Sequence, residues 1–339
     1  MQKIDWNSLG FGYVKTDFNV RSYYRNGKWS DLEVSSDEYI NMHMASTSLH
    51  YGQEAFEGLK AYRGKDGKVR LFRWEENVKR MATSAKGIMM AEVPKELFKE
   101  AIYKAVKLNE HYVPPYGTGS TLYIRPLLIG FGAEVGVKPS QEYLFLVFVT
   151  PVGPYFRDGF KPGNYLICRE FDRAAALGTG NIKVGGNYAA SLLSLDRAKH
   201  SGYTSVIYLD PIEKKYIDEC GQTNFFGIKD NTYVTPKSSS VLPSITNMSL
   251  MQLATSMGMT IEKRPIHINE LATFEETGGC GTAAVISPIA KIVDEQENKT
   301  YVYCKDNEPG PVCTKLYNKL TNIQFGDDTD EFGWITIID

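Results

Sequence analysis

The sequence has no long apolar run and no large excess of charge of either sign. Its apolar stretches fall short of the roughly 20 residues that a membrane-spanning helix requires. The 38 basic and 40 acidic residues give a formal net charge of −2, and no block of like charges indicates a tail or a polybasic arm. Because non-specific nucleic-acid binding needs a concentrated basic surface, we expect neither a nucleic acid nor a membrane as partner.

Cysteine and histidine are also scarce. The five cysteines form no C-x-x-C pair, which argues against a disulfide framework or a zinc ribbon and favours reduced thiols in a cytosolic compartment. The five histidines include no H-E-x-x-H motif, so no metal site is predicted. The N-terminal residues lack the basic segment and apolar core of a secretory signal, and the expected localisation is therefore cytoplasmic.

Glycine is present, but the glycine motifs of nucleotide-binding proteins are not. In "GFGAEVG" (130–136), Val135 occupies the position of the third glycine of a dinucleotide fingerprint. The segment "LGTGNIK" lacks the G-K-[ST] ending of a phosphate-binding loop. The sequence therefore gives no support for a nucleotide-dependent function.

Apolar periodicity predicts strands and helices that follow one another without a regular βα alternation. In the first half and just beyond it, the prediction is strands at 69–74, 120–130, 142–153 and 165–171, and helices at 75–88, from Pro94 towards Tyr112, and at 188–201. In the second half, the same patterns predict strands in "TSVIYLD" and "KYIDECG" and a hairpin around Asp230 and Asn231. They also predict a helix from "PSITN" to Gly258 and one buried strand in "GCGTAAVISPIAKIV".

This order of elements predicts an α+β protein of two domains. The segment "GPYFRDGFKPGN" contains glycine and proline throughout and marks the connection between the domains. We expect a small N-terminal domain at 1–155, an interdomain loop at 156–167 and a larger domain at 168–339.

The segment "GNIKVGGNYAASLLSL" (180–195) places Lys183 among glycines and asparagines, just before a helical pattern. A solvated surface lysine is one interpretation. The other is a reactive amine, because lysine becomes a nucleophile when its amine is partly neutral and held in place. Such an amine forms a Schiff base with a carbonyl substrate or with the aldehyde of pyridoxal phosphate.

Pyridoxal phosphate makes several demands on its protein, and each has a candidate here. Glu219, at the end of an apolar strand, offers a carboxylate for the pyridine nitrogen, and Tyr188 offers a hydroxyl for the ring oxygen. Ser244 and Thr246 open a helix whose free N–H groups suit a phosphate. Further phosphate candidates are Thr282 and Arg80. Taken singly, each residue also has an ordinary structural interpretation, such as an N-cap or a solvated side chain.

In order and spacing, these motifs resemble those of the branched-chain amino acid aminotransferases, pyridoxal-phosphate enzymes of fold type IV. The resemblance covers nearly the whole chain and is carried by "LHYGQEAFEGLKAYRG", "TLYIRP", "TPVGPYF", "KVGGNYAASL", "DECGQTNFF", "LPSITN" and "GCGTAAVISP". D-amino acid aminotransferases and aminodeoxychorismate lyases share the fold but lack the "VGPYF" and "YIRP" pair. The resemblance implies a small N-terminal α/β domain and a larger domain with a barrel-like sheet.

The resemblance also implies the residue roles. Lys183 forms the Schiff base with the cofactor and then carries the proton between Cα and C4′. Tyr188 bonds the ring oxygen and Glu219 the pyridine nitrogen. The implied phosphate ligands are Arg80, the amides of Ile245 and Thr246, and Thr282.

For the substrate, the resemblance implies an aromatic pocket, made by Phe18, Tyr51, Phe56, Tyr123 and Tyr155. Arg125 would receive the second carboxylate of glutamate, and the α-carboxylate would meet the Ala283 amide and the Gln222 region. In the family, Tyr51 and its loop reach the neighbouring subunit's site, which implies a homodimer.

The sequence departs from the mammalian-type relatives in two respects. Ala284 and Ser287 stand where those relatives carry a C-x-x-C pair, so no thiol switch is predicted there. Gln222 replaces a threonine, so recognition of the carboxylate is expected to differ at that point.

The expected reaction is reversible transfer of the amino group of L-leucine, L-isoleucine or L-valine to 2-oxoglutarate, as in branched-chain amino acid biosynthesis. The alternative among enzymes is D-amino acid transamination or a lyase reaction on the same fold. The alternative from another class is a non-catalytic scaffold. A scaffold has no physical need for the lysine, the tyrosine and the glutamate together.

Overall fold

The computed structural model describes residues 4–154, 159–304 and 307–338. Contacts divide the chain into two units, each with its own sheet. The first unit comprises Met1–Arg157, Ile182–Gly185 and Ile323–Asp339, and the second comprises Asp158–Asn181 and Gly186–Asn322. The short segment that carries Lys183 therefore belongs with the first sheet. We retain the three-part division at 155 and 168 as a proposal about domains.

The first unit contains a nine-stranded sheet in which every pairing is antiparallel. Its strands are β1 (Asn19–Arg25), β2 (Lys28–Trp29), β3 (Glu33–Ser35), β4 (Glu54–Phe56), β5 (Leu59–Arg63), β6 (Val69–Phe72), β7 (Thr121–Gly130), β8 (Tyr143–Val152) and the C-terminal β18 (Ile335–Ile338). The helices that begin in this unit's first segment are α1 (Thr47–Tyr51), α2 (Trp74–Gly87) and α3 (Lys95–Leu108), and a 3-10 turn follows at Glu110–Tyr112.

Strand β7 shows how this sheet separates a core from a functional face. Successive side chains of a strand point to opposite faces, and Leu122, Ile124 and Leu128 are fully buried in the cluster that includes residues of α2 and α3. The alternate residues of β7, among them Tyr123 and Arg125, therefore lie on the opposite face. The predicted substrate residues of this strand share one side of the sheet.

The second unit contains a sheet that closes on itself. Its elements are β9 (Gly163–Cys168), α4 (Gly185–His200), β10 (Ser205–Leu209), β11 (Ile217–Cys220), β12 (Thr223–Lys229), β13 (Thr232–Pro236), α5 (Ile245–Ser256), β14 (Thr260–Arg264), a 3-10 turn (Ile268–Thr273), β15 (Glu276–Gly281), β16 (Val285–Asp294), β17 (Lys299–Val302) and α6 (Pro311–Phe325). The order β11-β10-β9-β16-β15-β12, together with the β11–β12 pairing, forms a ring of six strands. The predicted α+β class and barrel-like sheet are confirmed.

The hairpin prediction at Asp230 and Asn231 is confirmed, but one strand prediction is wrong. Both hairpin residues have positive φ, 46° and 56°, as a type I′ turn between β12 and β13 requires. The apolar stretch from Gly279 to Val293 is not one strand. It contains the end of β15, a tight turn and most of β16, with Gly281 paired with Val285. The turn consists of Thr282, Ala283 and Ala284, which carry none of the usual turn signals.

The described segments contain no helix with both the length and the apolar character that a bilayer crossing requires.

Candidate active site

The main chain at Lys183 is held from both sides within the first unit. Its N–H donates to Ser84 Oγ on α2 (2.9 Å), and its carbonyl accepts from the Phe56 N–H on β4 (3.1 Å). The next residue, Val184, forms a β-bridge with Ala55. These contacts fix the direction in which the lysine side chain leaves the backbone, and they bring it beside the residues that follow Glu54 in the sequence.

The Lys183 amine lies over an aromatic ring in surroundings that disfavour its charge. Its Nζ atom is 4.7 Å from the centroid of the Phe56 ring. Burial, reinforced by the positive charge of Arg80 and opposed by the negative charge of Glu57, lowers the pKa of Lys183 to about 8. The neutral amine is then accessible near physiological pH, as a nucleophilic lysine needs.

Arg80 is fixed by a carboxylate that the sequence interpretation did not assign. Its Nε and Nη2 atoms donate to the two oxygens of Glu57 at 2.7 and 2.8 Å, and the Glu57 side chain is completely buried. Asn77 Nδ2 also donates to Glu57 (2.8 Å). Two parallel bonds of this kind set the plane of the guanidinium. The solvated-helix interpretation of Arg80 is therefore wrong.

Arg125 lies between two aromatic rings on the same face of the sheet. Its guanidinium carbon is 4.8 Å from the Phe56 centroid and 5.2 Å from the Tyr123 centroid. Nη2 donates to the Tyr123 hydroxyl (3.2 Å), and the buried Nε has no hydrogen-bond partner among the described residues. Phe56, Tyr123, Arg125 and Lys183 are thus brought together, and we refer to these four residues with Arg80 and Glu57 as the lysine set.

Two predicted substrate residues, Phe18 and Tyr51, are placed differently, and a third is not described. Phe18 lines a groove with Tyr39 and Phe148 on the first sheet. Tyr51 is 42% exposed, and its hydroxyl donates to the Val135 carbonyl. Tyr155 lies outside the described residues. The substrate roles of these three residues remain predictions.

In the second unit, Glu219 on β11 is a buried carboxylate surrounded by donors. Its Oε1 accepts from the Leu242 N–H (2.6 Å) and from Asn224 Nδ2 (3.3 Å). Its Oε2 lies 3.3 Å from Arg173 Nε. An ionised carboxylate is an acceptor only and suits such surroundings. The solvent-exposed interpretation of Glu219 is therefore wrong.

Arg173 is the residue of this unit that sequence reasoning missed. It is 8% exposed, and its Nη2 donates to the carbonyls of Gly180 (2.7 Å) and Ser240. The close approach needs glycine, because a Cβ at Gly180 would lie 2.2 Å from the Ser240 oxygen. Arg173 occurs in "FDRAAALG", where nothing in the local pattern distinguishes it from a surface arginine.

Glu219, Arg173, Tyr188 and Gln222 line one small pocket of the second unit. Tyr188 lies in the first turn of α4, and Gln222 follows the end of β11. The structure thus brings together two of the predicted cofactor residues and one predicted substrate residue. We refer to these four residues as the carboxylate set.

The predicted phosphate residues of the second unit lie at a helix start and in a turn. Ser244 is the N-cap of α5, and its Oγ accepts from the Asn247 N–H (3.2 Å). Ile245 and Thr246 are the first residues of the helix, where main-chain N–H groups lack partners within the helix. Helix α5 packs against β15, the strand that leads into the turn containing Thr282 and Ala283.

The chemistry of these residues fits pyridoxal phosphate. The lysine set supplies an amine of lowered pKa, and the carboxylate set supplies a buried carboxylate and a phenol. A helix start supplies N–H groups of the kind that bind phosphate. Within the part of the chain that the structure describes, no three His, Cys, Asp or Glu side chains are arranged to hold a metal ion.

Comparison with known proteins identifies relatives over the whole chain. Residues 54–292 match the family "Amino-transferase class IV". The chain is 47% identical, over an alignment of 346 positions that covers 100% of both proteins, to "Branched-chain-amino-acid aminotransferase" of Haemophilus influenzae. The solved branched-chain amino acid aminotransferase of Escherichia coli has a TM-score of 0.79 at 26% identity, covering 96% of this chain and 100% of that one. The solved branched-chain amino acid aminotransferase of T.th., complexed with N-(5′-phosphopyridoxyl)-L-glutamate, has the same TM-score, identity and coverage.

A first prediction concerns the ionisation of Lys183. Because burial and Arg80 depress its pKa, half of the Lys183 amines in the cofactor-free protein should be neutral at a pH of about 8. The rate of reductive methylation at Lys183, followed by peptide mass spectrometry, should rise with pH to a midpoint there. Lys79, whose side chain is 71% exposed, serves as the reference. A midpoint at about 10.4, the value of a free lysine, would contradict this account.

A second prediction concerns Arg173. Arg173→Met leaves the Glu219 carboxylate buried without its cation and should lower the free energy of unfolding by roughly 3 kcal/mol. Arg173→Met combined with Glu219→Gln should recover part of that loss, because a neutral amide needs no cation. Arg197→Met is the matched control, since the Arg197–Glu170 pair is more than half exposed and should contribute less than about 1 kcal/mol. Urea unfolding measures all three. Equal losses in Arg173→Met and Arg197→Met would show that the Glu219 contact is unimportant.

Proposed function

Because this chain belongs to the class IV amino-transferase family, we propose that its lysine set and carboxylate set carry out amino-group transfer with pyridoxal 5′-phosphate. The protein is a branched-chain-amino-acid aminotransferase. It transfers the amino group of L-leucine, L-isoleucine or L-valine to 2-oxoglutarate and yields the branched 2-oxo acid and L-glutamate. The observation that supports the residue assignment most strongly is the clamped Lys183 amine of lowered pKa beside Phe56.

The cofactor roles follow from the chemistry of each group. When bound, the cofactor supplies an electron sink for the substrate Cα. Lys183 provides the amine that binds the cofactor aldehyde, Tyr188 holds the ring oxygen, and the Glu219 carboxylate holds a proton at the pyridine nitrogen. The phosphate is bound by Arg80, by the Ile245 and Thr246 amides, and by Thr282.

Lys183 also moves the proton of the reaction. Once the substrate amine has displaced it, its neutral amine removes the proton from Cα. A group whose pKa lies near the operating pH is an efficient general base and can return the proton in the next step. The Phe56 and Ser84 main-chain contacts keep the amine aimed at that position.

The substrate side chain lies against the aromatic residues of the lysine set. Each methylene removed from water by Phe56 and Tyr123 contributes about 0.8 kcal/mol, and Phe18, Tyr51 and Tyr155 extend that surface in this proposal. Arg125 receives the second carboxylate of glutamate or 2-oxoglutarate. The Ala283 amide and Gln222 hold the α-carboxylate that all the substrates share.

The assembly and compartment are part of the same proposal. We propose a homodimer in which the Tyr51 loop completes the partner's site, since the Tyr51 ring is well exposed in one chain. We place the enzyme in the cytoplasm, where thiols stay reduced. All five cysteines are free, and four of them are buried.

A third prediction tests the cofactor, the substrate class and Lys183 together. Protein loaded with pyridoxal phosphate should show a visible absorption band that bleaches with L-leucine and returns with 2-oxoglutarate. Lys183→Ala should not turn over, because it lacks both the binding amine and the base. Bleaching by D-alanine but not by L-leucine would assign a different class IV reaction. Wild-type turnover in Lys183→Ala would exclude Lys183 as the base.

A fourth prediction isolates Glu219. Glu219→Gln should still bind the cofactor but remove the Cα proton about 10²-fold more slowly, equivalent to about 2.7 kcal/mol of barrier, because an amide holds the pyridine proton poorly. The deuterium isotope effect with α-deuterated leucine should increase. Glu276→Gln is the control, since Glu276 is another buried carboxylate and accepts from the Val312 and Cys313 N–H groups. An unchanged rate in Glu219→Gln would remove Glu219 from this role.

A further inference from the structure

Glu54 is a carboxylate on the substrate-facing side of the first sheet to which the proposed reaction gives no role. It begins β4 and lies two residues before Phe56, so the two side chains share one face of the strand. On that face the Phe56 ring contacts both Lys183 and Arg125. Glu54 therefore belongs to the surface that the substrate side chain meets.

The Glu54 carboxylate is held by the segment that carries the lysine. It accepts a hydrogen bond from the Gly185 N–H, two residues after Lys183. A Cβ at Gly185 would lie 1.7 Å from Glu54 Oε1, so only glycine leaves room for the carboxylate. Glu54 is thus fixed in place.

Of the two arginines near Glu54, only one has a carboxylate partner among the described residues. Arg80 is paired with Glu57 through two hydrogen bonds. Arg125 bonds only to the neutral Tyr123 hydroxyl among the described residues, and its Nε is buried without an acceptor. Glu54 and Arg125 lie on one face of the paired strands β4 and β7, on either side of Phe56. They form no ion pair among the described residues, so the charge of Arg125 acts on Glu54 through space and lowers its pKa.

The ionisation of Glu54 is adjustable. Burial raises the pKa of Glu54, while the Gly185 N–H and Arg125 oppose that rise. The charged and titratable groups on this face are Arg125 and Tyr123 from β7, Lys60 from β5, Arg80 from α2, and Lys183 and Glu57 from the loops beside β4. An additional carboxylate at Arg125 would therefore favour the protonated form of Glu54.

We propose that Glu54 is a specificity-determining residue. When an apolar side chain is bound, the ionised Glu54 carboxylate balances the charge of Arg125. When the second carboxylate of a dicarboxylic substrate reaches Arg125, Glu54 takes up a proton. This inference rests on the proposed function. The proton comes from solvent on binding and returns to it when the dicarboxylate leaves. No other bond changes.

A titratable carboxylate is useful here because one site must bind two kinds of substrate in turn. One substrate has an apolar side chain, as leucine does, and the other has a charged side chain, as glutamate does. An arginine buried by a leucine side chain without a counter-charge would weaken leucine binding. A permanently charged carboxylate beside it would repel glutamate. A carboxylate that can be protonated avoids both penalties.

The test compares two oxo acids in the same half-reaction. The pyridoxamine form of the enzyme is mixed with 4-methyl-2-oxopentanoate or with 2-oxoglutarate, and kcat/KM is measured from about pH 6 to about pH 9, a range in which both substrates stay ionised. The ratio of the two values cancels the titration of Lys183, the cofactor and the α-carboxylate site. In the wild type, the ratio should shift towards the branched substrate as pH rises, by up to about tenfold per pH unit for one proton.

Glu54→Gln should remove that pH dependence and move the ratio about tenfold or more towards 2-oxoglutarate. Glu142→Gln is the matched control, because the Glu142 side chain is 44% exposed and pairs with Arg25. Its ratio should follow the wild type. A merely structural Glu54 would change both rates equally and leave the ratio and its pH dependence as in the wild type. That result would overturn the inference.

A second measurement uses only the wild type and so does not depend on how the variant folds. Binding of glutarate should take up protons that binding of 4-methylpentanoate does not, as read by calorimetry in buffers of different ionisation enthalpy. Equal proton uptake for the two acids at every pH would also overturn the inference. If neither oxo acid reacts, the proposed function fails. If both react but Glu54→Gln behaves as the wild type, only the inference about Glu54 fails.

Discussion

The main-chain clamp on Lys183 is the constraint on which the rest of the lysine set depends. The Ser84 hydroxyl and the Phe56 amide hold the peptide units on either side of one Cα, at 2.9 and 3.1 Å. Because those contacts come from α2 and β4, the same two elements bring Arg80, Glu57 and the Phe56 ring to the amine. The lowered pKa of Lys183 therefore follows from backbone placement, since burial and the Arg80 charge act only on an amine that is held there.

The buried arginines of the two units differ in the partners that surround their charge. Arg80 has a bidentate carboxylate partner, and Arg173 has a carboxylate and two carbonyls. Such groups are fixed and suit roles in which charge stays constant. Arg125 has aromatic faces and one phenol but, among the described residues, no carboxylate within ion-pair distance. It is the arginine best able to accept a further anion.

The sequence predicts those site residues whose role depends on neighbours in the chain. It does not predict those whose role depends on partners that are distant in sequence. Lys183, Glu219 and Tyr188 are marked by glycines, strand ends and helix starts close to them in the chain. Glu57, Glu54 and Arg173 owe their roles to partners that are distant in sequence, so their local patterns resemble those of surface residues. The prediction of one strand from Gly279 to Val293 failed for a different reason, because small residues without proline or asparagine give only a weak turn signal.

The glycines before and after Lys183 make room for different groups. Gly180 allows the carbonyl of Ser240 to approach, and it accepts the Arg173 bond through its own carbonyl. Gly185 leaves the space that the Glu54 carboxylate occupies. Neither residue is needed for a positive φ, because neither has one. The glycines around the lysine therefore provide room rather than flexibility. A methyl group at Gly180 would push away the Ser240 main chain, whose carbonyl accepts from Arg173, whereas a methyl group at Gly185 would displace the Glu54 carboxylate.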